Sequence, residues 1–140
     1  MVHINRNQLS QKDAQLLMQR FDTTLIKLDP KTTTIFLNEL LGKEERLTIA
    51  KRLATIVLIH EGCSEFRVSR LLKLSHSTTG IIAEKLKTGS YDGIIRSLKR
   101  RKLDYIELLN TIDSILHLNG LLPHRVGLDR YRSLPSQKKR

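Results

Sequence analysis

SEFRVSRLLKLSHSTTGIIAEKL, residues 64–86, decides the fold of this chain. Two short helical stretches meet at a tight break, and each opens on a serine, Ser64 and Ser75. Apolar residues fall at Val68, Leu72, Leu74 and Ile82, with Thr79 where a fifth is expected. The spacing predicts a first helix over 64–72, a turn at Lys73 and Leu74, and a second helix capped by Ser75. Val68, Leu72, Leu74 and Ile82 then point between the helices and fix their angle, with Thr79 internal. This is the pattern of a helix-turn-helix, which leaves the start of its second helix free to enter a major groove. The small residue usual in the first helix is present as Ser69. The glycine usual at the turn is Lys73, which must find another conformation or bear a positive φ. A helix–turn–helix met by chance inside a helical bundle reads much the same, so the rest of the chain has to discriminate.

The chain has 140 residues, a formal net charge of +11 and a sequence pI of about 10.2. That length makes one domain with a core of its own. The charge implies a polyanionic partner, nucleic acid before an anionic membrane, against the plainer alternative of a well-solvated basic protein. No apolar stretch reaches the ~18–20 residues that span a bilayer. The start, MVHINRNQLSQKD, lacks the apolar centre of a signal peptide. A cytoplasmic protein is the expectation. The lone cysteine, Cys63 beside Gly62, excludes an internal disulfide and points to packing.

Alternating apolar–polar runs are absent, and apolar positions recur at three- and four-residue spacing almost throughout, so the expectation is an all-α protein. A first helix spans about 10–28, started by Ser10 with Asp13, with the stripe Leu17, Phe21, Leu25 and Leu28. Asp29–Pro30 ends it and starts a second helix, about 30–41, carrying Ile35, Phe36, Leu37, Leu40 and Leu41. A third spans about 43–60, and its second half, Ala54 to Ile59, is apolar all round. A helix without a polar face must be covered on every side. Short helices of one chain cannot easily do this, so a second chain is inferred, with this helix at the centre of an obligate dimer. Gly62 ends it in a left-handed cap. Asp92 is placed as the cap of a long helix, about 92–118, with the stripe Ile94, Leu98, Tyr105, Leu109, Ile112 and Leu116. The division expected is a dimerising helical core with its helix-turn-helix over 1–90, a C-terminal helix over 91–120, and a basic, partly flexible tail over 121–140.

The helix order, the segment LLGKEERLTIAKRLATIVLIHEG (residues 40–62) and the helix-turn-helix together resemble the tryptophan-repressor-like superfamily of bacterial DNA-binding proteins, over roughly residues 9–90. Glu44-Glu45-Arg46 followed by Arg52 and Gly62 carries the more specific part. The resemblance implies an intertwined dimer, in which N-terminal helices of each chain wrap the other and two reading heads share one face. In the corepressor-binding member two arginines and a threonine help hold the amino acid. Arg52 matches one arginine, whereas Gly42 stands at the threonine position and Ile81 at the second arginine. An apolar residue there cannot pair with a carboxylate, which argues against tryptophan binding. No cofactor is expected.

On the second helix of the unit, Ser75, His76, Ser77 and Thr78 can exchange hydrogen bonds with base edges and phosphates, and Gly80 allows close approach. Lys85 and Lys87 reach for phosphate, as do Arg67 and Arg70 of the first helix. A serine-capped helix start at Ser64 or Ser75 can also hold a phosphate. Arg96, Lys99, Arg100, Arg101 and Lys102 form a candidate second DNA patch or a solvated helix face. The helix carries no Arg, Asn or Gln for bidentate base contacts, so readout leans on short polar contacts, water and DNA shape. Five scattered histidines, one cysteine and no phosphate-cradling loop speak against an enzyme. The leading expectation is a homodimeric, sequence-specific regulator of transcription, a repressor in a bacterial-type nucleoid. The alternatives are a DNA-binding module of replication, transposition or chromosome architecture, and an RNA-binding helical protein.

Overall fold

A computed structural model describes residues 8–116. Among them the fold is all-helical: α1 (Gln11–Ile26), α2 (Pro30–Leu40), α3 (Lys43–His60), α4 (Glu65–Leu72), α5 (His76–Lys87), α6 (Asp92–Lys99) and α7 (Lys102–Leu116). The chain divides into two compact units, residues 1–46 and 47–140. The expected basic tail, 121–140, lies outside the described residues.

In the first unit the local signals act as their chemistry dictates. Ser10 Oγ accepts the Asp13 N–H at 3.1 Å and starts α1. Asp29 Oδ1 accepts the Thr32 N–H at 2.7 Å and starts α2, with Pro30 at its first position. That backbone donor holds the Asp29 carboxyl below its usual range. Glu45 reaches back to the Gly42 N–H at 2.7 Å and caps α3. Neither α1 nor α2 buries a residue. Leu16, Leu17, Met18, Phe21 and Ile35 are all exposed, while Leu25, Leu28, Phe36 and Leu37 are half-buried.

The second unit holds the core. Thr55, Ile56, Val57 and Leu58 of α3 are buried, and this chain's own helices cover them. Val57 and Leu58 pack with Cys63, Val68, Leu72, Tyr105, Leu109 and Ile112. On its other side Ile56 packs with Ile82 and Ile95, flanked by Leu86 and Tyr91. The expectation that this stretch needs a second chain is thereby corrected. A single rod over 92–118 offers too few covering helices, and the observed chain supplies two in its place.

That rod is the second correction. The segment breaks after Lys99 and restarts at Lys102. A straight helix of 27 residues would run ~40 Å, against ~27 Å for the 18-residue α3, and would carry one end of its stripe past any cover. Like charges one turn apart, Arg96 with Lys99 and Arg100 and Lys99 with Lys102, also disfavour a continuous helix there. Broken, both halves bury their stripes: Ile95 against Ile56, and Tyr105, Leu109 and Ile112 against the α3–α4 core. Ile94, expected on the stripe, is exposed, and Ile95 takes its place. Asp92 is not the cap either; Tyr91 occupies that position without a side-chain bond. The Asp92 carboxylate instead lies over Gly89, where φ is +83° and a Cβ would come within 2.9 Å of it.

A buried hydrogen bond ties α7 to the end of α3: Tyr105 Oη donates to Glu61 Oε2 at 2.8 Å. Cys63 is buried nearby. Burial, then the charge of Glu61, push its thiol up to about 11 against the opposing pull of Arg67, so it is a packing residue at neutral pH.

The turn between α4 and α5 bears its strain openly. Lys73 adopts φ 54° and ψ 50°, the left-handed conformation. Its cap is closed by Leu74 N–H to Ser69 O at 2.8 Å. A left-handed non-glycine residue costs ~1–2 kcal/mol, and glycine recovers most of this against its larger unfolded entropy. Lys73→Gly is therefore expected to stabilise the fold by about 0.5–1 kcal/mol. A thermal melt checks it; a lower midpoint would show that the lysine side chain contributes more than its backbone costs.

Candidate nucleic-acid interface

Helices α4 and α5 contact each other directly. Val68, Ser69 and Leu72 of α4 and Thr79, Ile82 and Ala83 of α5 are buried, with Leu74 half-buried between them. Ser69 is buried as a small residue at its place in the first helix should be, and Thr79 is internal as its spacing predicts. Its hydroxyl donates to Ser75 O at 3.1 Å.

With that face inward, α5 turns Ser77, Thr78, Ile81, Glu84 and Lys85 outward. Ser75 Oγ accepts the Thr78 N–H at 3.1 Å and donates its own proton to Thr78 Oγ1 at 2.8 Å. The Ser75 hydroxyl is thus engaged locally, and the outward donors at this helix start are the hydroxyls of Ser77 and Thr78. Ser64 Oγ accepts the Arg67 N–H at 3.3 Å and caps α4. Gly80 is informative by what surrounds it: a Cβ built there would meet nothing within 4 Å. A glycine inside a helix costs ~1 kcal/mol relative to alanine. No internal contact of the described chain explains this one.

Cations ring the face. Arg67, Arg70, Lys73, Lys85 and Lys87 are all exposed. The second cluster is partly assembled. Arg96, Lys99 and Arg100, with Ser97, line a surface depression of about 500 Å³. Arg96 also borders a smaller depression with His60, Leu86 and Asp92, which brings the cluster to the C-terminal end of α5. Arg101 is drawn aside to Asp104 at 3.4 Å, and Lys99 Nζ lies 5.8 Å from the Tyr105 ring centre. Lys102 starts α7.

Two exposed residues that sequence reasoning missed, Glu84 and Phe66, stand out, with Ile81, which it read only as a missing arginine. Ile81, at the centre of the free face of α5, is 56% exposed, and Glu84 is exposed beside it. Phe66 on α4 is 55% exposed. Its ring stacks on that of His76, with centres 5.6 Å apart and planes 18° from parallel. The Arg70 guanidinium lies 5.6 Å over the same phenyl ring. A sequence signal for Phe66 did exist: two residues before Val68, it stands off the apolar stripe of α4, where packing has no use for it.

Among the described residues no helix is long and apolar enough to cross a membrane, and no three His, Cys, Asp or Glu side chains gather as metal ligands do. Comparison with known proteins finds no family model, curated protein or solved structure that matches this chain.

Proposed function

We propose that this chain is a sequence-specific double-stranded DNA-binding regulator that acts as a homodimer, with α4 and α5 as a helix-turn-helix and α5 as the reading helix. The observation that carries the reading is the free face of α5. It presents Ser77, Thr78 and Ile81 outward, with Gly80 open to any neighbour. In a major groove, hydroxyls meet base edges and phosphates, and the Ile81 side chain meets thymine methyl groups. Gly80 lets the helix approach the duplex closely. The exposed Arg67, Arg70, Lys85 and Lys87 supply the phosphate contacts that position such a head. A net charge of +11 supports a polyanionic partner.

The dimer is supported by α1 and α2, in which no residue is fully buried. This agrees with the tryptophan-repressor-like arrangement that the sequence resembles. The exposed Ile81 supplies no partner for an amino-acid carboxylate, so the protein acts without tryptophan. As a repressor it occupies an operator and excludes polymerase, with no chemistry of its own.

Selection of bound duplexes from a random pool tests the reading, and a two-fold symmetric motif is the expected result. Ser77→Leu or Thr78→Leu should abolish preference for that motif while nonspecific binding survives. Lys85→Ala or Lys87→Ala should weaken all duplexes alike and lower the slope of log affinity against log salt by about 0.9 for each phosphate no longer neutralised. Arg100→Ala with Arg101→Ala assigns the second cluster: a reduced slope makes it a phosphate contact, an unchanged one leaves it to solvent. Full preference retained by both the Ser77 and Thr78 variants would overturn α5 as the reading helix.

A further inference from the structure

Phe66 is an exposed aromatic residue on a charged helix, in contact with the exposed side chains of His76 and Arg70. An apolar ring left more than half in water contributes little to folding, and nothing in the core of the second unit includes it. What it does is hold its neighbours. His76 stacks on it nearly parallel, and Arg70 lies over it at cation–π distance. Both partners are long or rotatable polar side chains that would otherwise sample several rotamers at the surface.

A second contact fixes the edge of the imidazole. Ser69 is buried, and its Oγ donates to the Phe66 carbonyl at 2.8 Å. With that proton spent, the lone pairs of Ser69 Oγ remain for His76 Nδ1, 3.5 Å away. The arrangement suits a proton on Nδ1, donated to Ser69. Nε2, on the far edge of the ring, then points away from the buried serine and carries a free lone pair. An imidazole held this way is a hydrogen-bond acceptor at the first position of α5.

We infer that Phe66 and Ser69 position His76 so that Nε2 accepts a hydrogen bond from an exocyclic amine of a base in the major groove, adenine N6 or cytosine N4. The inference rests on the DNA-binding reading above and deepens it, by naming a specificity contact and the residue that orients it. These two amines are the base-edge donors that the major groove offers. Arg70, held over the same ring, is left to contact phosphate beside that base. Phe66 touches no base itself; it is a positioning residue.

The experiment uses the full chain and the duplex it selects. In that duplex each adenine is replaced in turn by purine, which lacks the N6 amine, and each cytosine by pyrimidin-2-one, which lacks the N4 amine. One such replacement should weaken wild-type binding about fivefold, the worth of a single hydrogen bond, and should identify the base. His76→Ala should bind the native and the replaced duplex equally. Phe66→Ala should lose the same discrimination, and Phe66→Tyr, which keeps the stacking ring, should restore it. A merely structural role for Phe66 would weaken all duplexes alike and leave the fivefold ratio in place. Independently of DNA, ¹⁵N shifts of the neutral His76 ring should show the proton on Nδ1. The inference is overturned if Phe66→Ala or His76→Ala retains the fivefold ratio, if no replacement matters to the wild type, or if the proton resides on Nε2. If the wild type selects no duplex at all, the DNA-binding reading falls and takes this inference with it.

Discussion

Val57→Asp should unfold the second unit, with a loss of about 4 kcal/mol or more, enough to exhaust most of the ~5–15 kcal/mol that stabilises a small domain. Val57 is fully buried between α3, α4 and α7. The substitution forfeits about 1.5 kcal/mol of apolar burial and adds a carboxylate with no cation in its cluster, which costs several kcal/mol more. Because the covering residues belong to the same chain, the loss should not depend on protein concentration. Circular dichroism and denaturant titration at two concentrations a hundredfold apart check both points. A folded variant, or one rescued by raising the concentration, would mean that another chain covers Val57 after all. Ile49→Asp is the control. Ile49 lies two turns earlier on α3 and is 48% exposed, so the change should leave the second unit folded.

What the sequence made legible was local. Serine and aspartate at helix starts form short-range bonds that depend on three or four residues. The caps at Ser10, Asp29, Ser64 and Ser75 therefore stand where spacing puts them. The pairing of α4 with α5 was legible for the same reason. Val68, Leu72 and Ile82 lie close in sequence and all three are buried with Ser69 and Thr79, although Ile82 packs on Ile56 and Ile95 and not on the α4 stripe as its spacing suggested. The positive φ at Lys73 is one of the two outcomes its sequence position allows, since a turn of that length leaves few conformations for its cap residue.

What it hid was non-local. The cover over Ala54–Ile59 comes from helices as far along the chain as Ile112, and periodicity cannot say whether such a cover is supplied by the same chain or another. The break at Arg100 follows from the length of α3, a fact about a neighbour and not about residues 92–116. The Tyr105–Glu61 bond spans 44 residues and leaves no mark in either segment. At the candidate interface the polar residues were legible by type, whereas Phe66 left only one trace, its place off the α4 stripe, because an aromatic residue otherwise reads as core. Only its exposure and its stacking on His76 assign it to the surface. In the sequence Ile81 reads as a missing arginine, and only the fold shows it exposed on the outward side of α5.

Leu17→Glu combined with Phe21→Glu should convert the protein from dimer to monomer and melt α1, while the second unit stays folded. The reason lies in what the first unit lacks. Helix α1 has 16 residues and α2 has 11, lengths at which isolated helices are marginal in water and depend on packing of an apolar face. Neither has a buried residue, and Leu16, Leu17, Met18 and Phe21 lie in the open. Such a face persists only when covered, and a second copy can cover it in a two-fold pairing where every contact occurs twice. Burial of a large apolar side chain is worth ~1.5–3 kcal/mol, so two replacements felt twice remove well over about 4 kcal/mol. That is more than about a thousandfold in the dissociation constant. Sedimentation should give a dimer for the wild type and a monomer for the variant, with a fall in helical signal no larger than the first unit accounts for. The monomer should keep one reading head, so its salt slope on nonspecific duplex should drop towards half, and its preference for a two-fold symmetric site should vanish. A wild type that sediments as a monomer with α1 intact would remove the reason for the dimer. A variant that stays dimeric would move the interface off α1, leaving the exposed stripe to a different partner.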